Sequence, residues 1–326
     1  MKINLNSRLF DEDVEQVPTR NGFGEGLVLA GENDSNVVAL CADLTESTRM
    51  EAFKKKFPER FVEVGVAEQN LVTVGSGMAA IGKIPFVASY ATFSPGRNWE
   101  QIRTTICYND QPVKIVGSHA GISVGPDGAT HQALEDMAIM RVLPNMVVVC
   151  PCDAIEAKKA TQAIARNGKP TYLRLTRDKS QVVTSEETPF EIGKAEIFKE
   201  GKDATIIACG TMVYQALLAA KELEEEKISV RVVNNHTIKP LDEDTILAAA
   251  EQTGAIVTAE EHQKNGGLGS AVAELLSEKH PVPIVRVGID NRFGESGEPQ
   301  ELMKHFGLTK KEIKKAVLKV LRMKGK

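Results

Sequence analysis

The chain has 326 residues, more than one compact domain usually holds, so its length predicts two domains with a hydrophobic core each. Its 42% of hydrophobic and 26% of charged residues are ordinary for a globular protein, and no apolar run reaches the roughly 18 residues of a membrane helix. The formal net charge of −4 argues against a nucleic-acid partner, whose phosphates an acidic protein repels.

The start of the chain and its cysteines indicate the compartment. Residues 1–5 lack the apolar core of a signal peptide, and the odd number of five cysteines argues against a disulfide framework. We therefore expect a cytoplasmic protein that binds no membrane. Cys150 and Cys152 flank one proline, but zinc sites usually add further closely spaced Cys or His, so we expect no metal ligand in this chain.

The first half of the chain alternates strand and helix patterns. Its continuous apolar runs of strand length are 37–42, 61–64, 85–89, 113–117 and 146–150. Helical patterns such as 98–108 and 153–167 separate these runs. Apolar runs that alternate with helices are typical of buried parallel strands joined by crossover helices, so this half is predicted to be an α/β domain with a doubly wound, mostly parallel sheet.

A polar stretch from 178 to 189 interrupts this alternation and is predicted to be a linker. We place the boundary inside it, which divides the chain into domains 1–185 and 186–326. Beyond the boundary the alternation restarts, with strands predicted at 204–209, 229–234, 255–259 and 282–287 and helices at 213–223, 241–252 and 268–276. The second domain is therefore also predicted to be doubly wound and mostly parallel.

The end of the chain carries a concentration of positive charge. Residues 310–326 include eight Lys or Arg and one Glu. The spacing of the apolar residues Ile313, Val317, Leu318 and Leu321 predicts one stripe along a helix. We expect a terminal helix that packs by this stripe and keeps its lysines in water.

Glu68 lies between a strand pattern at 60–64 and an apolar, small-residue helix pattern at 71–81. An acid at a helix N-terminus has an ordinary structural explanation, because the helix dipole and unpaired N–H groups favour negative charge there. The following segments favour a functional role for Glu68 instead, since they contain the aromatic residues Tyr90 and Phe93 and then a glycine-rich run at 117–132. That run holds two histidines and an aspartate, which are costly to keep in a loop for packing alone.

Several polar residues follow predicted strands of the first domain, namely Asp43, Ser47, Glu68, His119 and Arg177. In open α/β sheets the carboxyl ends of the strands gather at one edge, where ligands bind. The second half has no comparable set. We therefore place chemistry on the first domain and an interface role on the second.

Four segments resemble the C-terminal part of transketolase, namely 42–47 (ADLTES), 65–70 (GVAEQN), 118–132 (SHAGISVGPDGATHQ) and 175–177 (LTR). The resemblance extends over essentially the whole chain. It implies a pyrimidine-binding thiamine diphosphate domain at 1–185 followed by a transketolase C-terminal domain at 186–326.

The motif with which this family binds magnesium and the cofactor diphosphate, Gly-Asp-Gly followed by Asn, is absent from the chain. Arg20 already matches an active-site position, which leaves no room upstream for that domain. The resemblance therefore implies a split transketolase, in which a partner subunit, the N-terminal section, holds the diphosphate and magnesium. It further implies a dimer of heterodimers.

The resemblance assigns the thiamine diphosphate contacts of this chain. Glu68 would hold the far nitrogen of the aminopyrimidine, and an acid in an apolar cleft can share or donate a proton there. Phe93 would stack on that ring, Tyr90 would lie beside it, and Asp43 would lie near the thiazolium. The sequence departs from the commoner bacterial pattern at 94–96, where many members carry another aromatic residue.

The resemblance also assigns a substrate site. Arg20, Ser47, His119 and Arg177 would hold the sugar phosphate, for which arginine offers planar donors and a permanent charge. Asp127 would read a substrate hydroxyl, and His131 would lie near the reacting carbons and the phosphates. Glu68, His119 and His131 are thus the expected catalytic residues.

The expected reaction moves a two-carbon ketol unit from a ketose phosphate to an aldose phosphate in the pentose phosphate pathway. One alternative is the beta-type subunit of a thiamine diphosphate-dependent 2-oxo acid dehydrogenase, which has no phosphosugar clamp. Deoxyxylulose phosphate synthase is related but normally carries both halves in one chain. A non-catalytic scaffolding relative is the third alternative, which loss of Glu68 or of the aromatic residues would favour.

Overall fold

The computed structural model describes residues 4–325 of the chain. Residues 1–3, where the signal peptide was sought, and the last lysine of the basic terminal segment, Lys326, lie outside this range. Within the described residues, no helix combines the length and the apolar character that crossing a membrane requires.

The first domain is built on a seven-stranded sheet. Its strands, in hydrogen-bonded order, are β12 (Thr237–Lys239), β6 (Val147–Val149), β7 (Thr171–Arg174), β5 (Lys114–Ser118), β4 (Ile84–Tyr90), β2 (Val37–Cys41) and β3 (Phe61–Glu63). Neighbours from β6 to β3 pair in parallel, and the edge strand β12 is antiparallel to β6. All five apolar runs predicted as strands overlap one of these strands.

Helices cover both faces of this sheet. One face carries α1 (Thr19–Asn33), α2 (Glu51–Lys56) and α6 (Ala154–Ile164). The other carries α3 (Glu68–Ala80), α4 (Trp99–Gln101) with its π-helical continuation Ile102–Cys107, and α5 (Asp136–Arg141). Successive side chains of a strand point to opposite faces, and every residue of β2 is buried under one layer or the other. The predicted doubly wound fold is confirmed.

The second domain contains a five-stranded sheet. In hydrogen-bonded order its strands are β14 (Ile284–Ile289), β13 (Ile256–Gln263), β10 (Ala204–Ala208), β11 (Val230–Asn234) and β9 (Glu196–Lys199). Four of these run parallel, and β9 is antiparallel to β11. The helices around this sheet are α7 (Met212–Glu225), α8 (Glu243–Thr253), α9 (Leu268–Lys279), α10 (Pro299–His305) and α11 (Lys310–Lys324). The second domain is therefore also doubly wound and mostly parallel.

The terminal helix α11 packs by the predicted stripe. Ile313 and Val317 are fully buried against the core, while Leu318 and Leu321 pack there with part of their surface exposed. Lys315 lies on the outer, solvent-exposed side. The apolar side chains therefore dock this helix on the second domain, as its spacing predicts.

The strand β12 connects the two halves of the chain. Although its residues follow the predicted boundary, Thr237 of β12 pairs with Val149 at the edge of the first sheet. An exposed sheet edge presents unpaired N–H and C=O groups, and β12 covers the edge that β6 offers. The first sheet is therefore completed by a segment that lies beyond residue 185.

The stretch predicted as a linker is held by hydrogen bonds along much of its length. It contains β8 (Lys179–Gln181), which pairs with β1 (Gln16–Pro18) in a two-stranded antiparallel sheet. The buried Asp153 then accepts hydrogen bonds from the N–H groups of Val183 and Thr184 at 2.7 and 2.6 Å. This stretch is therefore an ordered segment held against the first domain and not a flexible linker.

A buried ion pair lies where the two domains meet. Arg174 Nε donates to Asp136 Oδ2 at 2.8 Å, and the hydroxyl of Tyr172 donates to the same oxygen at 2.7 Å. Arg174 Nη2 also donates to the carbonyl of Glu261 in the second domain at 2.9 Å. Burial opposes ionisation of Asp136, but the Arg174 cation and these hydrogen bonds outweigh it, so the pKa of Asp136 is lowered.

We expect Asp136→Ala to lower the free energy of unfolding by roughly 3–5 kcal/mol, because it leaves the buried Arg174 without a counter-charge. The control is Glu224→Ala on α7, which breaks the partly exposed Glu224–Lys199 pair of 3.2 Å. Loss of this pair should cost less than about 1 kcal/mol. Urea unfolding of both variants measures the difference, and equal shifts of the midpoint would contradict the assigned role of the buried pair.

Candidate active site

The predicted site residues follow neighbouring strands of the first sheet. Along the chain, Asp43 follows β2, Glu68 follows β3, Phe93 follows β4, His119 follows β5 and Arg177 follows β7. Because these strands are parallel, their carboxyl ends lie at the same edge of the sheet. The topology therefore brings the residues to one region, and the side-chain contacts determine how they are arranged there.

Glu68 is the first residue of α3, and its side chain is only 5% exposed. Arg97 Nη1 donates to both carboxylate oxygens of Glu68, at 3.1 and 3.3 Å. The guanidinium carbon of Arg97 also lies 4.4 Å from the centroid of the Phe93 ring. Acid and aromatic ring are therefore neighbours, joined by an arginine that the sequence analysis did not single out.

Aromatic rings form a continuous surface at this edge. Tyr90 and His119 stack with ring centroids 3.8 Å apart, and Tyr90 and Phe93 stack at 6.0 Å. His131 meets the Phe93 ring edge-on at 5.4 Å. The predicted cofactor residues Tyr90 and Phe93 thus contact both predicted catalytic histidines.

His119 is held in one orientation by hydrogen bonds at both of its ring nitrogens. Arg20 Nη1 donates to His119 Nε2 at 3.3 Å and to the carbonyl of Ser47 at 2.8 Å. Since arginine can only donate, Nε2 accepts, and the proton of the neutral ring is on Nδ1, which lies 2.9 Å from Ser118 Oγ. Arg20, Ser47 and His119 are thus in contact, with Ser47 contributing its main chain.

The surroundings of His119 carry an excess of positive charge. Burial, followed by the charges of Arg20, Arg177 and Arg49, lowers the pKa of His119 from 6.5 to about 3. Burial and the charges of Arg49 and Arg177 likewise lower the pKa of Arg20. Three arginines therefore surround a neutral histidine, an arrangement suited to an anionic ligand.

Arg49 is a further cation at this site that is not among the residues predicted from the sequence. Its Nε donates to Asn21 Oδ1 at 2.9 Å, and its backbone φ is +65°. Arg49 lies two residues beyond Ser47, in the loop that the motif at 42–47 begins. The sequence signal for Arg49 was its position directly after the motif 42–47, whose Ser47 is predicted to bind an anion.

The loop that contains Asp127 and His131 is joined to Arg177. Arg177 Nη1 donates to the carbonyl of Val124 at 2.8 Å and to Asp127 Oδ1 at 3.4 Å. Thr130 Oγ1 lies 2.9 Å from His131 Nδ1. Two residues predicted to hold different parts of a sugar phosphate, Arg177 and Asp127, are therefore direct neighbours.

Asp43 stands apart from this contact network. It is exposed, and its N–H donates to Glu63 Oε1 at 2.7 Å, while its side chain has no hydrogen bond or ion pair with the other predicted site residues across residues 4–325. Asp43 and His119 nevertheless share a left-handed backbone, with φ of +58° and +57°. Such φ values are uncommon for residues other than glycine and are concentrated at functional sites.

Two families match this chain in succession. Residues 15–182 match the family described as "Transketolase, pyrimidine binding domain", and residues 193–313 match "Transketolase, C-terminal domain". The chain belongs to the transketolase family. The motif resemblance is therefore confirmed for both parts of the chain.

Similar proteins include separate transketolase sections and subunits. The chain is 44% identical over 306 residues to the "Putative transketolase C-terminal section" of Methanocaldococcus jannaschii, covering 93% of this chain and 96% of that section. It is 42% identical over 316 residues to the "6-deoxy-6-sulfo-D-fructose transketolase subunit SqwH" of Clostridium sp., covering 97% and 98%. Human transketolase is 35% identical over 307 residues, which are 93% of this chain but 49% of the human protein.

A solved structure described as "Split gene transketolase, inactive beta4 tetramer" superposes with a TM-score of 0.89 at 47% identity, covering 94% of this chain and 99% of that chain. Together with the C-terminal section of M. jannaschii, this match identifies the chain as a C-terminal section of the split transketolase type. It is thus a subunit from a transferase family that generally depends on thiamine diphosphate.

We expect the His119 ring to stay neutral between pH 5 and 8, because its pKa is lowered to about 3. An unfolded histidine binds a proton below about pH 6.5, so the stability that this residue contributes is present above that pH and is lost as the pH falls toward 3. Arg20→Ala removes one adjacent charge and should raise the pKa of His119, whereas Arg322→Ala on the exposed side of α11 should leave it unchanged. An NMR titration of the imidazole signals measures this, and a pKa near 6.5 in the parent would contradict the assignment.

Proposed function

We propose that this chain is the catalytic C-terminal section of a transketolase that transfers a two-carbon ketol unit from a ketose phosphate to an aldose phosphate in the pentose phosphate pathway. One observation carries the proposal. A buried acid and an aromatic ring, Glu68 and Phe93, lie at the same sheet edge as three arginines around a neutral His119. The first pair suits the pyrimidine end of thiamine diphosphate, and the arginines suit the phosphate of a sugar.

Glu68 and Phe93 suit the pyrimidine end of the cofactor. Glu68 would accept a proton from a nitrogen of the cofactor ring or share one with it. Phe93 would stack on the cofactor ring through the face of its own ring that the Arg97 guanidinium now covers. When bound, thiamine diphosphate supplies the nucleophilic carbon that carries the two-carbon unit. When the cofactor is bound, Glu68 would share the proton on which that reactivity depends.

The Gly-Asp-Gly and Asn motif with which this family binds the cofactor diphosphate is absent from the sequence. Within residues 4–325, no three His, Cys, Asp or Glu side chains are grouped closely enough to hold a metal ion. We infer that an N-terminal-section subunit holds the diphosphate and magnesium, and that two such pairs form a dimer of heterodimers. The relationship to separately encoded transketolase sections supports this inference.

Substrate recognition follows from charge and hydrogen bonding. Arg20, Arg49 and Arg177 favour a terminal oxyanion, and the neutral His119 keeps a donor and an acceptor at fixed positions. Asp127 would accept a hydrogen bond from a substrate hydroxyl, and His131 of the same loop would exchange a proton near the reacting carbons. The arginine cluster is the observation against a 2-oxo acid dehydrogenase, whose substrates lack a sugar phosphate.

The test of this function is reconstitution. The purified chain should be inactive with xylulose 5-phosphate and ribose 5-phosphate, and it should gain activity when the N-terminal-section subunit, thiamine diphosphate and magnesium are added. A sulfonated ketose serves as a second donor, because one relative is named for such a sugar. Activity on pyruvate and lipoamide instead would identify a 2-oxo acid dehydrogenase subunit, and inactivity with every substrate would favour a scaffolding role.

In the reconstituted enzyme, Glu68→Gln should lower kcat by roughly 100-fold or more, because the amide keeps the shape of the side chain but cannot relay the proton. Subunit assembly, measured by size-exclusion chromatography, should not change. Glu59→Gln, at an exposed position just before β3, is the control and should leave kcat near that of the parent. Near-normal turnover by the Glu68 variant would rule out its cofactor role.

A further inference from the structure

The second domain contacts the loop that carries Asp127 and His131. We call residues 121–132 the substrate loop, and residues 290–298, between β14 and α10, the clasp loop. The neighbours of the substrate loop, Ala120 and Ala133, form a parallel bridge that closes its base. Contacts from the second domain reach the substrate loop at its beginning, in its middle and at its end.

At its beginning, the substrate loop is bonded to a buried glutamate of β13. Glu261 Oε1 accepts from the N–H of Ser123 at 2.7 Å, and Glu261 Oε2 accepts from Thr211 Oγ1 at 3.1 Å. Gly121 has a φ of +89°, and a side chain there would overlap the Glu261 carboxylate. The turn that starts the substrate loop is therefore shaped around a residue of the second domain.

At its end, the substrate loop is bonded to the clasp loop through Gln132, which is buried. Its Nε2 donates to the carbonyls of Ile122 and Gly125, both at 3.2 Å, and to the carbonyl of Glu295 at 2.9 Å. A Cβ atom on Gly294 would overlap the Gln132 amide. One side chain thus spans the substrate loop and ties it to the clasp loop, and only glycine fits beside it.

In its middle, the substrate loop turns against the clasp loop and the start of α10. Gly125 and Gly128 have φ values of +84° and +74°. A Cβ atom on Gly125 would lie 3.1 Å from Pro299, and one on Gly128 would lie 2.5 Å from Ser296 Oγ. These turns flank Asp127, so the orientation of its carboxylate depends on the position of the clasp loop.

The clasp loop is itself held within the second domain. Gln263 Nε2 donates to the carbonyl of Arg292 at 2.8 Å, and Gln263 Oε1 accepts from the N–H of Asn291 at 3.1 Å. The Arg292 guanidinium lies 3.8 Å from the centroid of the Phe306 ring. The clasp loop is therefore a fixed surface against which the substrate loop is shaped.

We propose that the second domain sets the working shape of the substrate loop, with Gln132 and Gly294 as positioning residues for Asp127 and His131. The inference that this positioning affects sugar binding rests on the proposed function, whereas the ordering of the loop does not. The second domain then has a role in substrate recognition beyond the interface role expected from the sequence. It exerts this role through the substrate loop.

The first test measures loop order in the isolated chain and is independent of the enzymatic reaction. In Gly294→Ala the new methyl group must displace the Gln132 amide, which should raise amide hydrogen exchange across 121–132 by about tenfold. Gly77→Ala on α3 is the control, because a Cβ at Gly77 meets no other atom within 4 Å. This control should leave exchange in 121–132 unchanged.

Gln132→Leu provides a second variant, since it keeps the volume but loses all three hydrogen bonds. It should raise exchange in the same segment and leave the strands β10 and β13 protected. Unchanged exchange in 121–132 for both variants, or an increase spread over both domains, would overturn the proposal. The two variants act from opposite sides of the contact, so a folding defect in one does not remove the test.

The second test uses the enzyme reconstituted with its partner subunit. Both variants should raise KM for the sugar phosphate about tenfold while kcat changes by less than about threefold, because the reacting groups remain but the loop must be ordered on binding. Loss of kcat at constant KM would indicate a structural role alone and would contradict positioning. If the parent itself has no transketolase activity, the proposed function fails, and the exchange result still decides whether the second domain orders the loop.

Discussion

Arg174 connects the parts of this molecule on which the site depends. Its guanidinium is bonded to Asp136 in α5, to the carbonyl of Ala133 at the end of the substrate loop and to the carbonyl of Glu261 in β13. All of these contacts are buried, so the cost of desolvating the charge is met by one counter-ion and several acceptors. This one side chain therefore contacts the first domain, the residue that follows the substrate loop and the second domain at the same time.

The site departs from what stability alone favours. His119 is kept neutral among three arginines, and Asp43, Arg49 and His119 all have a left-handed backbone. Like charges in proximity and strained φ values each cost free energy, which the surrounding packing offsets. An anionic ligand relieves the repulsion among the arginines, so the charge that destabilises the free chain favours the binding of an anion.

Glu68, unlike His119 and its arginines, has a partner of opposite charge in the free chain. Its buried carboxylate is paired with Arg97, whose guanidinium also covers the Phe93 ring. A planar heterocycle that bonded to Glu68 and stacked on Phe93 would compete with this one side chain. Arg97 therefore satisfies the buried acid and covers the aromatic ring in the free chain.

Sequence patterns by themselves determined the fold class, the sheet edge that holds the site and the family, because these depend on hydrophobic periodicity and on motifs of adjacent residues. Tertiary structure alone decided the contacts of Arg97 and Arg49, the pairing of β12 with the first sheet and the contact between Gln132 and the clasp loop. It also decided that the polar stretch at 178–189 is held by β1 and Asp153. The physical reason is that each of these contacts joins residues whose local sequence is compatible with several environments, and only packing of the complete chain selects one of them.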